Sequence, residues 1–118
     1  MIWFDRLSVL LLFALGCIHN FVAAPAVSDV LTTRLLWFVT GGITLWFAAI
    51  INLLWLRTAA DRFAASLAAL ANLVLLGFAA MFVATKGSYS DPQNLALLLP
   101  AAWLAAQSVA AVIVGRRT

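Results

Sequence analysis

Apolar residues gather in four long blocks, over residues 7–27, 35–56, 63–85 and 94–115, and polar residues collect between them. Each block approaches or exceeds the roughly 20 residues that a helix needs to cross a bilayer core. Helices are required, because lipid offers no partner to an unpaired backbone group, and barrel strands would be shorter and would alternate. The pattern predicts an all-α fold, one domain built as an antiparallel bundle of four transmembrane helices. The connections are short, which makes successive helices antiparallel neighbours. Ser28 and Asp29 are turn formers and candidate caps in the first connection, and Thr58 or Asp61 can cap the third helix. Gly87, Ser88, Ser90, Asp91 and Pro92 spell a turn, with Asp91 as N-cap and Pro92 in the first helical turn.

Composition supports the same solvent. Hydrophobic residues make up 66% of the 118 residues and charged residues 9%, against about 25% charged in soluble domains. A soluble domain of this size could not hide so much apolar surface. The formal charge is +3, but Arg6, Arg34, Arg57, Arg62, Lys86, Arg116 and Arg117 sit at block edges rather than in a patch. This placement excludes nucleic acid as a partner and suits membrane-flanking charges. With the N-terminus inside, Arg6, Arg57, Arg62, Arg116 and Arg117 face the cytoplasm and only Arg34 and Lys86 face away. The expectation is a bacterial inner-membrane protein with both termini cytoplasmic. The first block shares a charged start and small residues near 22–26 with a cleaved secretory signal. Its length, and Pro25 after the candidate cut, favour a retained helix. A lone cysteine, Cys17, permits no intrachain disulfide and no cysteine metal cluster.

Trp3, Trp37 and Trp55 fall near block ends, where aromatic residues anchor at the interface. Trp103 falls near mid-span and lacks that explanation. The third block is alanine-rich, which predicts close packing and the most enclosed helix.

Few polar residues lie inside the blocks: His19, Asn20, Thr40, Thr44, Asn52, Ser66, Asn72, Gln107 and Ser108. No Asp, Glu, Lys or Arg is expected deep in a span. That removes the buried carboxylate used in proton-coupled export. Asp5, Asp29, Asp61 and Asp91 read as caps and solvated edges. Counting about 1.5 Å per residue places His19 level with Gly41 and Gly42 and with Pro100, whose missing N–H frees the carbonyl of Ala96. The expected polar locus, a candidate ligand site, comprises His19, Asn20, Gly41, Gly42, Thr44, Pro100 and Trp103. Depth also pairs Asn52 with Ser66, and Asn72 with Gln107 through Trp103 or a water. His19 is either a helix-packing group bonded to a carbonyl, or a proton-relay, metal or haem ligand. One histidine makes a poor metal site, and two-histidine haem ligation would need a dimer. Cys17 reads as a small apolar packer.

The run Leu15-Gly16-Cys17-Ile18-His19, then Pro25, Trp37-Phe38 and Gly41-Gly42, resembles a pattern in small bacterial four-helix membrane proteins of DoxX-like size. The resemblance covers about the first half of the chain and maps no active site. It implies a membrane subunit or accessory, in some cases of a redox system. Two readings follow. One is a non-enzymatic structural or accessory protein, packing against lipid, a second copy or a larger membrane partner. The other is a binder of a small molecule, lipid or cofactor, haem among them, at the locus around His19. The residues point away from an enzyme, since no Ser–His–acid set or carboxylate pair lies in the spans.

Overall fold

A computed structural model describes residues 2–58, 60–86 and 90–115, with Lys86 described by its backbone only. Gly87, Ser88, Arg116 and Arg117 lie outside the described residues, as does the Lys86 side chain. Four helices long and apolar enough to cross a membrane span Ile2–Val27, Thr33–Arg57, Arg62–Thr85 and Pro92–Val114; the third continues to Lys86. They are called here the first to fourth helices. The first packs on the second and fourth, and the third on the second and fourth, so the chain closes an up-and-down four-helix bundle.

Local chemistry sets the ends. The Thr32 hydroxyl accepts from the Leu35 N–H at 3.1 Å and caps the second helix. Ser28 instead folds the preceding turn through both backbone groups of Val30. Asp61 caps the third helix by accepting from Phe63 and Ala64, while Thr58 closes the second. Asp91 accepts from Gln93 with Pro92 in the first turn of the fourth.

The first helix starts at Ile2, ahead of the expected residue 7, and is not uniform. It is α-helical over Ile2–Cys17, π-helical over Ile18–Ala23 and α-helical again over Ala24–Val27. Pro25 explains the change. In an α-helix its ring would collide with the carbonyl of Phe21, and its missing N–H would leave that carbonyl unserved. The wider turn, in which the Ala24 N–H reaches the His19 carbonyl, accommodates it. His19 and Asn20 lie in that widened turn.

Packing is uneven along the bundle. Each helix presents a stripe of inward positions spaced three or four apart. These are Asp5, Ser8, Val9, Leu12 and Gly16 on the first helix, and Gly42, Leu45, Ala48, Ala49, Asn52 and Trp55 on the second. Ala64, Ala65, Ala68, Ala69, Asn72, Leu75, Ala79 and Val83 continue it on the third, and the fourth contributes Pro100, Ala101, Leu104, Ala105, Ser108 and Ala111. Small residues bring the backbones close, which is how helices gain packing energy in lipid. The third and fourth helices are equally enclosed, so the third is not alone the most buried. Over residues 18–44, by contrast, only Ala24 and Gly42 are buried. The bundle therefore encloses the half of the first hairpin nearest Asp5 and Trp55, and leaves the half nearest the 28–32 turn packed mainly on itself.

This gradient sorts the tryptophans. Trp37 and Trp55 are five turns apart on the same helical face. Trp37 is 74% exposed and Trp55 1%. Trp3 is exposed, as an anchor should be, but Trp55 is a core residue and not an interfacial anchor.

Candidate functional site

Two polar clusters lie between the helices. The first joins three of them. Asn52 and Asn72 exchange amide hydrogen bonds, Nδ2 to Oδ1 at 2.7 Å in one direction and 2.8 Å in the other. The second Asn52 N–H donates to the Ala48 carbonyl and the second Asn72 N–H to the Ser108 hydroxyl at 3.1 Å. Ser108 in turn donates to the Leu104 carbonyl at 2.6 Å. All three side chains are fully buried, and every one of their donors is used. Such a cluster is closed: it orients helices and has no free donor to offer a ligand.

The depth-based pairing of Asn52 with Ser66 is therefore replaced by Asn52 with Asn72. Ser66 is exposed and bonds its own helix at Arg62. Asn72 likewise meets Ser108 rather than Gln107 or Trp103. The physical reason is the helical face: Asn72 and Ser108 lie on the inward stripes, whereas Ser66 and Gln107 lie one position off them.

The second cluster joins the first two helices at the π turn. The Nε2–H of His19 donates to the Phe38 carbonyl at 2.8 Å, because a carbonyl can only accept. The imidazole also stacks on the Phe38 ring, with centroids 4.0 Å apart and planes 8° from parallel. The ring lies over Gly41, where an added Cβ would come within 3.1 Å of Nε2. Asn20 lies against Gly42 so closely that a Cβ there would overlap its amide. Reciprocally, Trp46 of the second helix covers Gly16 of the first. A Cβ on Gly16 would be 2.6 Å from Trp46 Cδ1 and 2.9 Å from the Gly42 carbonyl oxygen. Each helix thus gives a glycine to the other's polar side chain, Gly16 to Trp46 and Gly42 to Asn20. The Trp46 ring also neighbours Phe13 and Phe21, at centroid distances of 6.3 and 5.8 Å.

This cluster is open where the first is closed. Asn20 Oδ1 and Trp46 Nε1 are buried and have no hydrogen-bond partner. An unmet buried polar atom costs about 1–3 kcal/mol, so an acceptor and a donor left unmet at the two adjoining contacts, Asn20 over Gly42 and Trp46 over Gly16, are notable. Nε2 of His19, its sterically open nitrogen, is occupied by Phe38. Iron or zinc ligation through it would break that bond and unstack the ring. Among the described residues no three His, Cys, Asp or Glu side chains converge. The donor set does not fit a metal or a haem.

Three residues expected in this locus lie elsewhere. Thr44 is exposed, with its hydroxyl turned back onto the Thr40 carbonyl at 2.8 Å. Pro100 is buried on the fourth helix, whose main partners are the third helix and the Ile2–Cys17 part of the first. Trp103, one turn further on, donates from Nε1 to Asp5 Oδ1 at 2.9 Å, and its ring neighbours Phe4 at 5.8 Å.

That bond corrects two sequence expectations. Asp5 is 4% exposed and belongs to the inward stripe of the first helix, so it is neither a cap nor a solvated edge. Its partner stands at the middle of the fourth helix, roughly 16 Å from either end at 1.5 Å per residue. A buried carboxylate is therefore present, and its supposed absence no longer argues against proton-coupled chemistry.

No family model matches the chain, and no curated protein or solved structure is similar to it. Fold and composition define a multi-pass helical membrane protein, a four-helix bundle by the length and apolar character of its spans. Its functional reading rests on its own residues.

Proposed function

We propose that this chain is a small non-enzymatic accessory protein of the bacterial inner membrane, with both termini cytoplasmic, that holds a small lipophilic molecule against the π turn of its first hairpin. One observation carries the reading: Asn20 Oδ1 and Trp46 Nε1 are buried and unpartnered, while Asn52, Asn72 and Ser108 in the same bundle satisfy all their donors. Buried polar atoms that serve only packing mostly find partners inside the protein. Ligand sites between helices combine apolar and aromatic walls with a few placed polar groups, and Phe13, Phe21 and Trp46 supply such walls here.

The non-enzymatic part rests on the absence, among the described residues, of a converging nucleophile, base and stabilising donor at this locus. The DoxX-like resemblance suggests a redox setting, but the engagement of His19 with Phe38 gives that setting no support from this site.

The test is gentle extraction into lipid nanodiscs followed by native mass spectrometry of the intact complex. The reading predicts a defined small-molecule adduct on the wild type that falls at least fivefold in Trp46→Phe and is unchanged in Ser66→Ala. Equal, loosely held bulk lipid on all three proteins would defeat it. Orientation is tested separately by cysteine labelling at Thr118 and at Ser90, which should react from the cytoplasmic and opposite sides respectively.

A further inference from the structure

We infer that the ligand at the π turn is a neutral lipophile carrying a free hydroxyl group, held by that hydroxyl. This rests on the binding reading above and names its chemistry. Trp46 Nε1–H can only donate, and Asn20 Oδ1 can only accept. A hydroxyl can accept from the one and donate to the other with a single oxygen. An ether, ester or ketone meets only the indole, and an alkane meets neither.

Charge is excluded by the surroundings. Residues 7–28 of the first helix and 35–56 of the second contain no Asp, Glu, Lys or Arg. A carboxylate, phosphate or ammonium head would therefore be buried without a counter-charge, which is costly in lipid. His19 directs its Nε2–H at the Phe38 carbonyl rather than at this contact.

Access is from the lipid side. Phe13 and Phe21, which flank Trp46, are 45% and 70% exposed, so an acyl or isoprenoid tail can lie along them, while Asn20 Oδ1 and Trp46 Nε1 are themselves covered and the side chains over them must move for the head to enter. The glycines make room for both side chains. A side chain at residue 16 would displace the Trp46 indole, and one at residue 42 would displace the Asn20 amide. A hydroxyl can come from a lipid alcohol or from water, and the experiment separates them.

The full chain in phosphatidylcholine nanodiscs is titrated with oleyl alcohol, its methyl ether, and octadecene, with occupancy read by native mass spectrometry. The inference predicts that the alcohol binds about tenfold more tightly than the ether, the worth of one hydrogen bond of about 1.4 kcal/mol, and that octadecene binds least. In Asn20→Leu the alcohol-to-ether ratio should fall to about one. In Trp46→Phe both ligands should weaken while the ratio persists. Circular dichroism and elution of each variant establish that it is folded, and Asn20→Ser, which keeps an acceptor, should restore part of the ratio. Equal binding of alcohol and ether by the wild type overturns the inference, as does a ratio that survives Asn20→Leu. If none of the three binds but a copurified adduct remains at the site, the hydroxyl chemistry fails and the binding reading stands. If none binds, no adduct remains and the Trp46 indole exchanges with water, the site holds only water and both fail.

Discussion

The two polar clusters of this bundle use the same kinds of side chain to opposite ends. Asn72, at the centre of the third helix, meets a reciprocal amide and a hydroxyl and leaves no donor unused. Asn20, in the π turn of the first, presents a buried oxygen to nothing. The atoms are buried in both clusters, so burial of the atoms is not the difference. It lies in what the neighbouring helix offers: Asn52 and Ser108 in one case, a bare glycine in the other. A closed cluster raises the penalty for pulling helices apart, whereas an open one lowers stability until something fills it.

Mutations should separate the two in order of size. The largest effect is expected for Asn72→Ala, which strands the buried Asn52 amide and should cost about 2–3 kcal/mol, measured by denaturant titration in mixed micelles. The double change Asn52→Leu with Asn72→Leu should recover part of that loss, because it removes both partners together. A smaller loss, about 1–2 kcal/mol, is expected for Gly16→Ala, where the new methyl group must push against the Trp46 ring and the Gly42 carbonyl; reduced contact between the first two helices would register as altered cross-linking.

Trp103→Phe and Trp46→Phe form a matched pair. The first breaks the bond to Asp5 and leaves a carboxylate short of a donor; the second breaks no hydrogen bond within the protein. The first should therefore be the more destabilising by about 1 kcal/mol. Near-equal losses would mean that the Asp5 bond contributes little. Smallest of all, Asn20→Leu should change ligand-free stability by no more than about 0.5 kcal/mol or raise it slightly, since an unmet acceptor is removed. A loss as large as that of Asn72→Ala would show that Asn20 has a structural partner and would end the contrast.

Much of the fold was legible because it depends on one variable, the length of apolar runs. Caps at Asp61 and Asp91 were equally readable from residue type beside a turn. The juxtaposition of His19 with Gly41 and of Asn20 with Gly42 follows from a short hairpin, in which positions equidistant from the turn must meet. Depth alone misled elsewhere. It paired Asn52 with Ser66, drew Thr44 into a site it faces away from, and left Asp5 in solvent. In each case the inward stripe decides. Asp5 lies on the line through Ser8, Val9, Leu12 and Gly16, and Asn72 lies on the line through Ala65, Ala68 and Ala69. These stripes were present in the sequence as small and apolar residues at helical spacing. The π turn was announced only by Pro25, and the missing partners of Asn20 and Trp46 were not readable at all, because an unmet atom is a property of three dimensions.

The central claim, that the locus at the π turn is open while the Asn52–Asn72–Ser108 cluster is closed, is most directly tested by the indole N–H resonances of the five tryptophans. They are assigned by Trp→Phe substitution and followed in nanodiscs as oleyl alcohol is added. The account predicts that the Trp46 Nε1–H signal shifts and slows its exchange with water, while the Trp103 signal, already bonded to Asp5, stays in place. A stationary Trp46 signal, or one that moves together with that of Trp103, would contradict it.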